Sequence, residues 1–279
     1  MPTRGARMAA RRANCPRQRP SEPRSPRPGQ PARATSRPLG TDPPEPHVLS
    51  REAGYFQRVD EDALFSIAEL GRAVIPMEVA IGDFVNPGEV LASVWIDDGE
   101  AALEETAKMV RSAFVIGDQW TLGQDVERAF IEVTDIAIRA LSPSLNDPTT
   151  ATQCVDRVGE LLIRLGTRAE PPAGRTGEAG TIRFIALRVP WERAVDVGVG
   201  KIRPYAARSP SVLIRMIEVC GRVRAQVASR RRRPLEQQIR DIVEAARRTD
   251  TLPPDMKAIE RAAEQSLAPI PAQAPALSD

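Results

Sequence analysis

One histidine serves the whole 279-residue chain, at position 47, ahead of every segment with a strong folding pattern. A body without histidine has no Ser-His-Asp or Cys-His nucleophile, no histidine-ligated zinc and no imidazole general base. Cysteine is nearly as scarce. Cys15, Cys154 and Cys220 are too few and too scattered for a disulfide framework or a thiolate metal site. Cys154 and Cys220 fall on apolar faces of predicted helices, so small buried hydrophobes are expected. Aromatic residues make up 4% of the chain, so no base-stacking surface for nucleic acid is expected. No run reaches the roughly 20 apolar residues of a membrane-spanning helix, and the N-terminus lacks the apolar core of a signal peptide. As written the chain reads as soluble, cytoplasmic or peripheral.

Charge is present but unevenly placed. Residues 1–48 hold ten arginines, no lysine and three acidic residues, a net of +7, so the rest of the chain carries −5 of the overall +2. The same 48 residues contain eleven of the 26 prolines and few large apolar side chains. Such a segment cannot bury enough surface to offset its ordering entropy, and a disordered Arg/Pro-rich stretch is expected there. A second short tail is expected over 269–279.

From about residue 49 the pattern becomes globular. Gly54–Val59 alternates as a strand, Asp60 is placed to cap a helix over 61–70, and Gly71 is placed to stop it. A further strand is expected within 73–80. In "NPGE" (86–89) proline and glycine occupy the second and third positions of a type II turn, before "EVLASVWI" returns as a strand. These features predict a small hairpin-rich β module over 49–98, with one short helix. From 99 to 268 the period is helical. Helices are expected over 100–115, 122–141 and 148–166, from Pro190 or Trp191 to about Ala207, from Pro210 to Ser229, and over 235–248 and 255–267. Residues 169–180 read as a loop and 181–189 as a strand. The predicted fold class is α+β, a helix-dominated bundle with a small N-terminal β module. In "VDVGVGKI" (195–202) a phosphate loop is excluded, because the first glycine is missing at the required spacing and Ile202 stands where Ser or Thr would hold magnesium.

The stretch "RALSPSLNDPTTA" (139–151) joins two of these helices. Pro143 ends one, Asn146 or Asp147 can accept hydrogen bonds from the first free amides of the next, and Pro148 suits its first position. Arg139, Ser142, Asn146, Asp147 and Thr150 are also the candidate surround of a small polar ligand, since free helix amides attract anions, although Asp147 opposes one. Asp135 and Arg139, four apart, can pair along the helix for about 0.3 kcal/mol. Asp125, Asp147 and Asp156 are candidate acid–base carboxylates if they converge in one pocket. Arg230, Arg231, Arg232 and Arg233 read as a helix end or, alternatively, as a contact for lipid headgroups at about 1 kcal/mol per arginine.

"SREAGYFQRVD", "GDFVNPGEVLA", "SAFVIGDQWTLGQDVERAF", "TDIAIRALSPSLNDPTTA" and "IRPYAARSPSVLIRMIE" resemble, in this order, the soluble portion of the DUF2254 family of predicted bacterial membrane proteins. The resemblance spans about residues 48–230. It implies a membrane-anchored parent with transmembrane helices ahead of the first strand, where this chain has its Arg/Pro-rich stretch; residues 1–48 are accordingly expected to be a truncated or mis-started remnant. The family has no assigned chemistry, so no catalytic residue is implied. "GDFVNPGEVLASV" is also similar to half of a biotinyl or lipoyl barrel motif, without the lysine a carrier needs.

These readings lead to a non-enzymatic module of a membrane protein, serving assembly, gating or ligand sensing. A carboxylate enzyme and a free-standing cytosolic regulator are the alternatives. No cofactor or metal is expected. Expected partners are copies of the same chain and a membrane surface or membrane-embedded protein, with no specific nucleic acid.

Overall fold

A computed structural model describes residues 47–270 apart from residues 97, 98, 122, 171, 173, 178 and 179. The disorder expected over 1–48 and 269–279 therefore lies largely outside the described residues. At its inner edge the first expectation needs correction: His47 and Val48 belong to strand β1 (His47–Leu49), which pairs antiparallel with β5 (Val90–Ser93). Val48 is fully buried, and the His47 ring lies 3.4 Å from the Ser93 hydroxyl.

The fold is helix-dominated α+β. Its N-terminal part begins as the sequence suggests. Strand β2 (Gly54–Val59) buries Phe56 and Val59. The Asp60 carboxylate then accepts the Ala63 amide at 2.9 Å and starts helix α1 (Glu61–Leu70). Gly71 ends that helix with an ordinary φ of −82°; the left-handed residue is Arg72, at φ 48°. The strand expected over 73–80 is reduced to β3 (Ile75–Pro76), with single bridges from Val74 to Trp95 and Met77 to Ala92. In "NPGE", Gly88 has φ +86° and the Glu89 amide donates to the Asn86 carbonyl at 3.0 Å, as a type II turn requires. The turn joins β4 (Phe84–Val85) to β5.

Helix α2 (Gly99–Ser112) and strand β6 (Phe114–Gly117) follow. Strand β2 lies between β4 and β6 in an antiparallel sheet. A third small sheet is assembled across the chain. β3 pairs in parallel with β8 (Ile182–Ile185), which pairs antiparallel with β7 (Gly174–Thr176). Residues 174–176, expected as loop, become a strand because β8 supplies a partner that local sequence does not reveal. Phe184 and Ala186 thereby enter the same hydrophobic cluster as Phe56, Leu64, Ile75, Leu91 and Val110.

The other cluster is helical. It is built by α3 (Val126–Ala140), α4 (Pro148–Gly166), α7 (Pro210–Gln226), α8 (Arg232–Arg247) and α9 (Pro253–Leu267). Cys154 and Cys220 are buried in it as free thiols, and burial pushes the Cys220 thiol up to about 12. The single helix expected from 191 to 207 is instead broken into α5 (Trp191–Val195), a π-helical turn (Asp196–Gly200) and α6 (Arg203–Ala206). In the π turn the Lys201 amide donates five residues back to the Asp196 carbonyl at 3.0 Å, and the buried Thr134 hydroxyl of α3 donates to the Val197 carbonyl at 3.2 Å. Gly198 allows the turn to lie against α3 and α4. A Cβ there would come within 2.8 Å of Val158 and 3.1 Å of Phe130. The substitution Gly198→Ala is expected to destabilise the fold by about 1–3 kcal/mol through overpacking, measured by urea unfolding; an unchanged midpoint would show that the π turn yields freely.

Candidate functional site

The turn between α3 and α4 is held by its backbone. The Leu141 amide donates to Ala137, the Ser142 amide to Arg139, and the Asp147 amide to the Ala140 carbonyl at 2.8 Å, which closes the end of α3. The Ser142 carbonyl accepts from both Leu145 and Asn146. Asn146 sits in the left-handed region, φ 46°, a conformation asparagine tolerates better than most residues. Asp147 is the N-cap of α4: its carboxylate accepts the Thr150 amide at 3.0 Å and the Thr150 hydroxyl. Those two bonds from Thr150, the hydroxyl first, hold the Asp147 pKa below the ordinary value. The Ser142 hydroxyl meets that of Ser144 at 3.2 Å, and Arg139 is exposed on α3. The spacing-based Asp135–Arg139 pair gives way to Arg128–Glu132 at 3.2 Å on the same helix. The five candidate ligand residues thus lie within one turn, but Ser142, Asp147 and Thr150 are hydrogen-bonded inside it.

The three candidate carboxylates occupy separate places. Asp125 caps the N-terminus of α3 by accepting the Arg128 amide at 2.9 Å. It is 7% exposed and lies against Gly82 of the β module, where a Cβ would overlap its carboxylate. Burial raises its pKa against the opposing pull of the Arg128 amide. Asp147 stands beyond the other end of the same helix, about 22 Å along an axis rising 1.5 Å per residue. Asp156, on α4, accepts Arg215 at 2.8 and 3.0 Å and Arg222 at 2.9 Å. Burial alone would raise Asp156, but those guanidinium bonds and charges outweigh it and its pKa falls. Asp156 borders an open groove of about 530 Å³ between α4 and α7, which neither Asp125 nor Asp147 lines. Among the described residues, no three His, Cys, Asp or Glu side chains gather as a metal site.

The arginine run does not end a helix. A 3₁₀ turn (Ser229–Arg231) leads directly into α8 at Arg232. Arg231 is 7% exposed and points inward, donating to the carbonyls of Gly166 at 2.7 Å and Arg168 at 2.9 Å at the end of α4. The Trp191 indole in turn donates to the Arg231 carbonyl at 2.8 Å. Arg230 and Arg233 are exposed and Arg232 is half-buried. A charged donor placed on the last carbonyls of a helix also complements its dipole.

One cluster had no signal in the sequence. Tyr55 of β2 stacks edge-on against Phe84 of β4, with ring centroids 5.0 Å apart, and meets Trp120 at 4.2 Å. The Arg128 guanidinium lies 4.1 Å over the Trp120 ring. Phe84 is 52% exposed and Trp120 46%. An aromatic-poor chain thus gathers three rings on one surface.

These features describe a helical body with a small β module, its polar groups largely engaged in holding it together. A sequence profile described as "Predicted membrane protein (DUF2254)" matches residues 6–222, and the chain belongs to that family. Uncharacterised proteins of Mycobacterium bovis and Mycobacterium tuberculosis are 32% identical to it over 205 residues, which is 72% of this chain and 39% of theirs. The chain therefore spans about two-fifths of the length of these relatives. No solved structure matches. No helix among the described residues is long and apolar enough to cross a membrane.

Two outcomes follow for stability. Arg231→Met is expected to cost about 2–3 kcal/mol by stripping the α4 carbonyls of a charged donor, while Arg230→Ser and Arg233→Ser stay within about 0.5 kcal/mol; chemical unfolding of the three variants measures both. Asp147 and Asp156 have lowered folded pKa values, so their stabilisation is present above the ordinary carboxylate pKa and is lost as pH falls through the folded one. Asp125, with its raised pKa, works in the opposite sense. Replacing Asp147 and Asp156 by Asn should therefore flatten the fall in melting temperature between about pH 5 and about pH 3, read by thermal scans at each pH.

Proposed function

We propose that this chain is the extramembrane module of a larger membrane protein, serving assembly, gating or ligand sensing and not catalysis. The observation that carries the reading is where its polar side chains point. The α3–α4 turn uses Asp147 and Thr150 to start a helix, Asp125 caps another, and Asp156 joins α4 to α7 through Arg215 and Arg222. A rigid body built this way suits transmitting or holding a position, whereas an acid–base site needs carboxylates that converge on one reacting group. Membership in a family described as membrane proteins, with relatives more than twice as long as the matched region, supports an anchored parent. Self-association of that parent into a homo-oligomer is part of the same reading.

The test is made on the full-length Mycobacterium tuberculosis relative. It should remain in the membrane pellet after an alkaline carbonate wash, and limited proteolysis of those membranes should release a folded fragment corresponding to the residues described in this chain. Release of the intact relative into the carbonate supernatant would overturn the reading.

A further inference from the structure

The aromatic cluster on the β module is built to be exposed. Its three rings come from three of the separate stretches that carry the family resemblance: Tyr55 from "SREAGYFQRVD", Phe84 from "GDFVNPGEVLA" and Trp120 from "SAFVIGDQWTLGQDVERAF". The sheet order β4-β2-β6 brings them together, with Tyr55 directly opposite Phe84 across the strand pair and opposite Gly117 on the other side. The loop bearing Trp120 is tied down. The Gln57 side chain donates to the Gln119 carbonyl, and the Gln124 side chain both accepts from the Val59 amide at 3.0 Å and donates to the Val59 carbonyl at 3.3 Å. The rings are therefore held outward by a braced scaffold.

We propose that Tyr55, Phe84 and Trp120, with Arg128 on the Trp120 face, form a docking surface for the lipid interface of the membrane. Tyrosine and tryptophan favour that zone because each joins an apolar ring to a polar atom, and a guanidinium over a ring can keep its charge in water while its stem lies against apolar surface. A second copy of the chain fits less well. With Phe84 52% and Trp120 46% exposed and Tyr55 partly buried, the rings offer less than about 300 Å², against about 800 Å² per partner in a stable protein interface. In a symmetric pairing the exposed Asp83 beside Phe84 and the exposed Asp118 near Trp120 would also bring four carboxylates to one seam. The same two carboxylates make the surface a poor reader of anionic headgroups, so docking is driven by the rings and is insensitive to salt. The proposal rests on the chain being part of a membrane protein.

The test uses the full 279-residue chain and vesicles of phosphatidylcholine alone, at high salt, where the basic residues 1–48 and the Arg230–Arg233 run contribute little. The chain should co-sediment, and brominated phosphatidylcholine should quench its tryptophan fluorescence. In a Trp95→Phe background, Trp120→Phe should still co-sediment but lose most of the quenching, since the half-buried Trp95 is then removed and Trp191 is buried. The double variant Phe84→Ser with Trp120→Ser should bind about tenfold less, as adsorption scales with apolar area. Should that variant not fold, Trp120→Phe decides alone: retained binding with lost quenching supports the surface, and undiminished quenching overturns it. Wild type that stays in the supernatant, or a folded double variant that binds undiminished, overturns it too. A lipid-free dimer seen by light scattering and dissolved by the double variant would assign the rings to a second copy. A relative that resists carbonate, together with a chain that ignores vesicles, overturns the docking surface alone; a relative that carbonate extracts overturns the reading on which it rests.

Discussion

The helical core closes because glycine stands wherever α4 and the π turn come nearest to their neighbours. A Cβ on Gly159 would lie 2.6 Å from Val219 of α7, and one on Gly166 would lie 2.5 Å from Val227 and 2.9 Å from Trp191. Close approach lets Ala151, Val155, Val158 and Leu162 of α4 share one cluster with Leu213, Ile217 and Cys220 of α7. At native packing density such contacts leave no slack for an added methyl group. The same approach brings the last carbonyls of α4 within reach of Arg231.

Arginine does most of the polar joining in this body. The chain has 36 arginines and three lysines, and the planar fork of arginine suits two acceptors at once. Arg188 grips both oxygens of Glu61 at 2.6 and 2.8 Å, and Arg193 of α5 grips Glu127 of α3. Arg224 reaches from α7 to Glu236 of α8 at 2.7 Å and to the Ala268 carbonyl beyond α9 at 3.0 Å. Each of these side chains is partly exposed, so each pair alone contributes little.

For function the consequence is a division of surfaces. The turn over residues 139–151, within the family resemblance, is occupied with its own backbone. The α4–α7 groove is bordered by paired charges. Phe84 and Trp120, beside the partly buried Tyr55, bring exposed aromatic rings together on one face.

Local chemistry made much of this legible in advance. Proline and aspartate marked the start of α4 at Pro148, the Asp60 cap marked α1, and Gly88 marked the type II turn, because each depends on a few adjacent residues whose backbone preferences dominate. Other signals were correct locally and still misled. Ser209 precedes Pro210 as a cap should, yet its side chain makes no cap hydrogen bond. Val126 has the helical spacing of Phe130, Val133 and Ala137 on α3, yet it is 42% exposed while Phe130 is buried. The sequence by itself determined where most helices begin and the family to which the chain belongs. Tertiary structure alone decided that β3 pairs with β8 across more than a hundred residues, that Arg231 turns inward while Arg230 does not, and that three distant aromatic rings share one face. Those outcomes depend on which surfaces meet after the elements have formed, and no local preference along the chain encodes that.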